Sequence, residues 1–304
     1  MNIFMTGATG YIGGTLARRL LDDGHSLRGL VRDAEKGRRL ASFGVEPVIG
    51  GLDDAALLAT EARRADAVIN TASSDHRGAV DAFLEALAGS NKPFIHTSGS
   101  SIVADDAHGD AASDKVYDED TPVDPVPGKR ARVAIDRTIR DASRRDVRSI
   151  VVCPSMIYGN GLGLARDSAQ IPGLARRARA WGVVRHVGQG LNVWSNVHVE
   201  DVADLYRLAL AKAPAGAFYF AENGEASYLD ICEAIARRLG LGAPQAWPFE
   251  EAAKELGENS AAYTFGSNSR VRAKRARDEF GWQPKLAFAT AWIEAELPLW
   301  VVYS

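Results

Sequence analysis

Cysteine is scarce. Only Cys153 and Cys232 occur in 304 residues, in unrelated contexts, so neither a disulfide framework nor a cysteine-based metal site is expected. Long apolar runs are missing too. No stretch approaches the roughly 20 residues that a membrane helix needs, and the first residues lack a basic start and a cleavage site. Secretion and membrane insertion are therefore not expected, and a reducing cytoplasm fits. Charge of one sign is also missing: 36 Lys and Arg stand among 39 Asp and Glu, a net charge of −3. No broad field exists to draw nucleic acid or anionic lipid, and Arg176, Arg177 and Arg179 read as a solvated helix face. The short apolar end, Leu297 to Tyr303, contains Pro298 and reads as packing against the body or a partner chain.

What remains is an ordinary globular composition, 46% hydrophobic and 25% charged, with length for one large α/β domain or a domain with a smaller appendage. Asn2 to Met5 is a short apolar run. Gly7-Ala8-Thr9-Gly10-Tyr11-Ile12-Gly13 follows, and then a helix pattern with Ile12, Leu16 and Leu20 on one face. In such a strand, glycine turn and helix, Gly7 permits the sharp turn and Gly10 lets backbone amides approach a pyrophosphate. Gly13 lets the helix pack closely on the strand. The helix start then offers unpaired N–H groups and a positive dipole end to phosphates. A glycine triplet alone says little, but its place between a first strand and a second one at Ser26 to Val31 points to dinucleotide binding.

The alternation continues with strands at Glu46 to Ile49, Ala67 to Thr71 and Phe94 to Thr97, and helices at Asp54 to Arg63 and Gly78 to Ala88. It predicts a doubly wound parallel sheet, covered on both faces, with ligands beyond the strands' carboxyl ends.

Thr6 to Gly13, Asn70-Thr71-Ala72, Thr97-Ser98-Gly99, Pro154 to Gly159, Val197 to Ala203 and Phe280 to Pro284 together resemble the short-chain dehydrogenase/reductase family, in its extended or epimerase/dehydratase form. The resemblance implies an α/β Rossmann domain over residues 1–158, with a return segment at about 190–215. Residues 159–304 would form mainly a smaller C-terminal substrate lobe. In the Val197 to Ala203 stretch, an Asp-capped helix start competes with any chemical role for His198 or Asp201. The family also implies a homodimer built on the helices near Gly78 to Ala88 and Arg130 to Ala142. Cofactor contacts are expected from Gly7, Thr9, Gly10, Tyr11, Ile12, Gly13, Leu52, Thr71, Ala72, Thr97, Pro154 and Met156, with the pro-S face of the nicotinamide exposed.

The choice between NAD and NADP is made at the end of the second strand, where a carboxylate serves NAD. Here Val31 falls on the acidic position and Arg32 follows. Its planar fork suits a phosphate, with Lys36 and Arg38 close by. Asp33 competes as a ribose acceptor, but NADP(H) is the favoured cofactor.

The family's enzymes carry a Ser or Thr after the fifth strand and a Tyr-x-x-x-Lys on the next helix. No tyrosine here has lysine four residues later. Alignment puts Gly99 at the hydroxyl position, Gly128 at the tyrosine and Arg132 at the lysine. Arg132 can still hold the nicotinamide ribose, while Ser100, Lys129 and Tyr158 are the candidate proton donors. Each also has a structural reading: Ser100 in a turn, Lys129 in solvent, Tyr158 as a wall.

The leading expectation is an NADP(H)-dependent reductase or dehydrogenase. It would act on a small, fairly apolar carbonyl, imine, ether or activated double bond, and Trp181, His186, Trp194 and Trp247 could line its pocket. The alternatives are a nucleotide-sugar epimerase or dehydratase, and a non-catalytic NADP(H) sensor.

Overall fold

The computed structural model describes residues 1–286 and 288–299. Seven parallel strands form the main sheet: β1 (Asn2–Thr6), β2 (Ser26–Val31), β3 (Glu46–Ile49), β4 (Ala67–Asn70), β5 (Pro93–Thr97), β6 (Arg148–Pro154) and, near the end of the chain, β10 (Ala217–Ala221). Their order in space is β10-β6-β5-β4-β1-β2-β3. Such strands are apolar along their length because helices cover both faces: Ile3, Phe4 and Met5 are 1% exposed or less, as are Ile150, Val151 and Val152. The helices are α1 (Tyr11–Asp22), α2 (Ala34–Ser42), α3 (Ala55–Arg64), α4 (Arg77–Leu87), α5 (Arg130–Asp141) and α7 (Val199–Lys212). The order reverses at β1, which lies between β2 and β4, and a crevice opens at such a reversal.

The second body has its own core. It holds β7 (Met156–Tyr158), α6 (Ile171–Trp181), β8 (Arg185–Val187), β9 (Val193–His198), β11 (Glu225–Ser227), α8 (Tyr228–Leu239), β12 (Gln245–Trp247) and α9 (Phe249–Leu256). β9 pairs with β7 and β11, and β8 with β12. Tyr158, Tyr228, Ile231 and Ile293 are at most 1% exposed within it.

The return to the sheet differs from the expected 190–215. β9 belongs to the small sheet, α7 carries the chain back over α1, and β10, at 217–221, completes the return by pairing with β6. Arg207 clamps Asp23 through two bonds of 2.5 and 2.6 Å and so fixes α7 to the end of α1. The start of α7 is capped by His198, whose Nδ1 accepts from the Glu200 N–H, and not by an aspartate. Asp201 instead accepts the Lys285 and Leu286 N–H groups at 3.0 and 3.2 Å, while Trp282 Nε1 donates to the Asp201 carbonyl. Two sequence marks, Val197 to Ala203 and Phe280 to Pro284, thus meet in one joint.

Leu297 is buried and Leu299 exposed. The rest of the expected apolar packing segment, 300–303, lies outside the described residues. Among the described residues no helix is long and apolar enough to cross a membrane, and no cluster of three or more His, Cys, Asp or Glu could hold a metal.

Candidate active site

The turn after β1 has the geometry that its glycines suggest. Gly7 adopts φ +76°, and a Cβ there would collide with Thr71 and Ala72. At Gly13 a Cβ would lie 2.3 Å from the Gly7 carbonyl and from Thr71 Oγ1, so α1 closes on the turn only because no side chain intervenes. Thr71 is fixed by its Oγ1 donating to the Thr6 carbonyl at 2.7 Å, and Ala72 lines the same close approach. At Gly10 a Cβ would meet the Gly7 carbonyl alone, at 3.1 Å, so its other side is open.

The helices after β2, β3 and β4 are capped by Asp33, Asp54 and His76, whereas α1 has no side-chain cap and no acidic residue in its first turn. Bare N–H groups beside an open glycine form a cradle for an anion, and a dinucleotide pyrophosphate fits it. Thr9 and Ile12 border that turn. Tyr11 ties it to the second body by donating its hydroxyl to the Gly159 carbonyl at 2.8 Å.

At the far end of the crevice Asp33 accepts the Lys36 N–H at 2.8 Å and Lys36 Nζ at 3.0 Å. Arg32 is exposed beside it, and Leu52 is partly buried against the core.

At the other end, beyond β5 and β6, lies a cleft of about 290 Å³. Ser98 to Ser101 form one wall, Pro154, Ser155 and Ile157 a second, and Trp194, Tyr263 and Thr264 a third. A larger cavity, about 650 Å³ around Met1, His25, Arg207 and Trp282, opens where the strands begin, away from the glycine turn.

The structure divides the expected site residues. Gly7, Gly10, Tyr11, Ile12, Gly13, Thr71, Ala72, Pro154 and Ser100 gather along the turn and cleft. Met156 and Tyr158 do not. Side chains alternate along a strand, so Ile157 faces the cleft while Met156 and Tyr158, 1% and 0% exposed, enter the second core. There the Tyr158 ring meets His198 edge-on and packs near Trp292. Thr97 is turned inward, with its Oγ1 against the Asn70 carbonyl and the Tyr206 hydroxyl. Trp194 reaches the cleft, but Trp181, His186 and Trp247 gather elsewhere around Arg185.

Both glycines at the altered positions are overlaid by other side chains. A Cβ at Gly99 would lie 3.4 Å from an Arg132 guanidinium nitrogen, and one at Gly128 would lie 3.1 Å from the ring of Tyr263. Arg132 is held by the Asp75 carboxylate, with Nε–Oδ1 at 2.8 Å, and donates to Ser101 Oγ at 3.1 Å. Lys129 places its ammonium 5.3 Å from the centre of the Tyr263 ring, behind the cleft. Burial, aided by the Arg132 charge, lowers its pKa. Ser100 Oγ accepts from Ser269 Oγ at 2.8 Å.

Beneath the Ser98 wall, Ser98 Oγ donates to Asp136 Oδ2 at 2.7 Å. Burial pushes this carboxyl up to about 7. Ser98 and Ile157 lie in the family marks and Trp194 among the pocket aromatics of the sequence, but Tyr263 stands outside every motif, and the convergence of the four on one cleft is not visible in a sequence.

The NAD dependent epimerase/dehydratase family model matches residues 3–219. The chain belongs to that family. An uncharacterized protein of Schizosaccharomyces pombe is 31% identical over 93% of this chain and 95% of its own length. The oxidase UcsJ of an Acremonium species is 33% identical over 93% and 92%. A 2-alkyl-3-oxoalkanoate reductase of Stenotrophomonas maltophilia is 28% identical over 81% and 77%. Among solved structures, a dTDP-glucose 4,6-dehydratase from Bacillus anthracis in complex with NAD superposes with a TM-score of 0.77 and 19% identity, covering 97% of this chain and 94% of that one. This family member is a nucleotide-binding oxidoreductase of a family that binds nicotinamide cofactors.

Proposed function

We propose that the chain is an NADP(H)-dependent reductase of small, fairly apolar molecules, acting at a carbonyl, imine, ether or activated double bond. One observation carries the reading. Among the described residues that line the cleft, none is charged: hydroxyls of serine, threonine and tyrosine stand beside Pro154, Ile157 and Trp194. A nucleotide sugar brings a diphosphate that calls for cations, and about 290 Å³ is small for such a molecule beside a nicotinamide. A neutral, compact substrate suits the lining better. The 2-alkyl-3-oxoalkanoate reductase among the relatives is named as a reductase of a 3-oxo compound, which is consistent with a carbonyl as the reacting group.

The cofactor would supply the hydride. The Gly7 to Gly13 turn would hold its pyrophosphate on the start of α1, and Arg32 would pair with the 2′-phosphate. Asp33 supports this assignment, because its carboxylate is engaged in capping α2 and holding Lys36. Pro154 and Ile157 would wall the nicotinamide. Arg132 would meet its ribose with the part of the guanidinium not engaged by Asp75. The hydroxyl groups of the cleft would orient the substrate's polar atom.

Incubation with NADPH and a panel of 3-oxo esters, aldehydes, imines and enones, followed by nicotinamide absorbance, tests the proposal. Multiple turnovers with one class support it. Turnover of a dTDP- or UDP-sugar alone would replace it with an epimerase or dehydratase, and NADPH binding without any turnover would replace it with a sensor.

A further inference from the structure

We propose that Tyr263, supplied by the second body, is the proton donor of the cleft and takes the place left empty at Gly128. The inference rests on the reductase reading above.

Three independent observations meet at this side chain. Its ring occupies the space in front of Gly128: a Cβ there would be 3.1 Å from Cε2 and 3.8 Å from Cζ, the carbon that bears the hydroxyl. A lysine stands behind it, with Lys129 Nζ 5.3 Å from the ring centre. The residue also lines the same cleft as Ser98, Ser100, Pro154 and Ile157. Locally, Ala261–Phe265 is a wide π turn, a rare distortion that re-aims side chains and gathers at functional sites. Ala261 and Phe265 anchor it in the second core, while Tyr263 is half-buried at the cleft.

Partial burial and the Asp106 carboxylate, to which the phenol hydroxyl donates, with Glu258 further off, hold the pKa of Tyr263 above the ordinary range. The phenol is therefore protonated at neutral pH, and its proton turns from Asp106 to the substrate oxygen when that oxygen becomes the stronger base. Lys129, whose ammonium lies over the ring, is the nearby cation that stabilises the phenolate once the proton has left. In reduction of a carbonyl, NADPH would supply the hydride by loss of a C–H bond of its dihydronicotinamide, a C–H bond would form at the carbonyl carbon, and the C=O π pair would move to oxygen. That oxygen takes the proton of Tyr263, and solvent returns a proton to the phenolate at its exposed edge. Lys129 is in this account a positioning and charge-stabilising residue.

Fluorine NMR of 3-fluorotyrosine-labelled protein tests the placement without turnover. The Tyr263 resonance is identified by its loss in Tyr263→Phe and that of Tyr11 by its loss in Tyr11→Phe. Both resonances should move when NADP⁺ is added. Movement of Tyr11 alone overturns this inference and leaves the cofactor reading intact, whereas movement of neither overturns both.

The kinetic arm uses a substrate found with the panel. Tyr263→Phe should lower kcat by about 10²–10³-fold, as loss of a general acid does, with NADPH affinity within about twofold. Gly128→Tyr in a Tyr263→Ala background should recover at least about tenfold of the lost rate, and Gly128→Phe in that background should recover none. Turnover of Tyr263→Phe within about twofold of the parent, or equal rescue by Gly128→Phe, overturns the inference.

Discussion

Asp33 holds Lys36 twice, through its backbone N–H at 2.8 Å and its ammonium at 3.0 Å. Both Asp33 oxygens are turned to Lys36 at the start of α2, and under the proposed NADP(H) reading the exposed neighbour Arg32 would meet the cofactor's 2′-phosphate. Arg32→Ala should weaken NADPH binding about ten- to a hundredfold, the usual loss for one charge-assisted contact, with NADH within about twofold of the parent. Fluorescence titration of both cofactors checks this. Equal affinities in the parent would remove Arg32 from the site.

The glycines of the first turn separate binding from folding. At Gly10 an added side chain meets one carbonyl at 3.1 Å and otherwise fills open space, while at Gly13 it collides at 2.3 Å with Gly7 and Thr71. Gly10→Val should abolish cofactor binding with a Tm within a few degrees of the parent. Gly13→Ala should lower Tm distinctly, because α1 must move off the strand. Cofactor affinity retained in Gly10→Val would show that the pyrophosphate lies elsewhere.

Asp136 makes stability depend on pH. Its carboxyl is raised to about 7 by burial, so between about pH 4 and 7 the folded chain binds a proton that the unfolded chain has released. Stability from this group is full below the ordinary carboxylate range and is lost as pH rises through 7. Asp136→Asn, which keeps an acceptor for Ser98, should flatten that fall and gain on the parent above pH 7. Denaturant midpoints at pH 5, 6, 7 and 8 decide it, and parallel curves for the two proteins would contradict it.

Much of this molecule is legible because its signals are local. The Gly7 to Gly13 turn, the continuous apolar strands and the αβ alternation depend on residues close in sequence, and the strands and helices that periodicity places in the first half lie there to within a residue or two. The cleft depends on contacts across the chain. Tyr263 stands 135 positions after Gly128, and nothing in its own neighbourhood marks it as the ring that covers a glycine. Met156 and Tyr158 were misplaced for a different reason. A two-residue period sets which faces the cleft, but where the sheet alternation starts after Pro154 is fixed by pairing with β9, which no local pattern reveals.

In the proposed reaction a hydride moves from NADPH to a compact neutral substrate. NADPH deuterated at the 4S position, paired with the 4R isotopomer, and a 3-oxo ester follow that hydride, with the product read by mass spectrometry and NMR. Deuterium is expected on the carbinol carbon from the 4S label, one atom per NADPH oxidised. A product that carries deuterium from neither isotopomer would contradict hydride transfer.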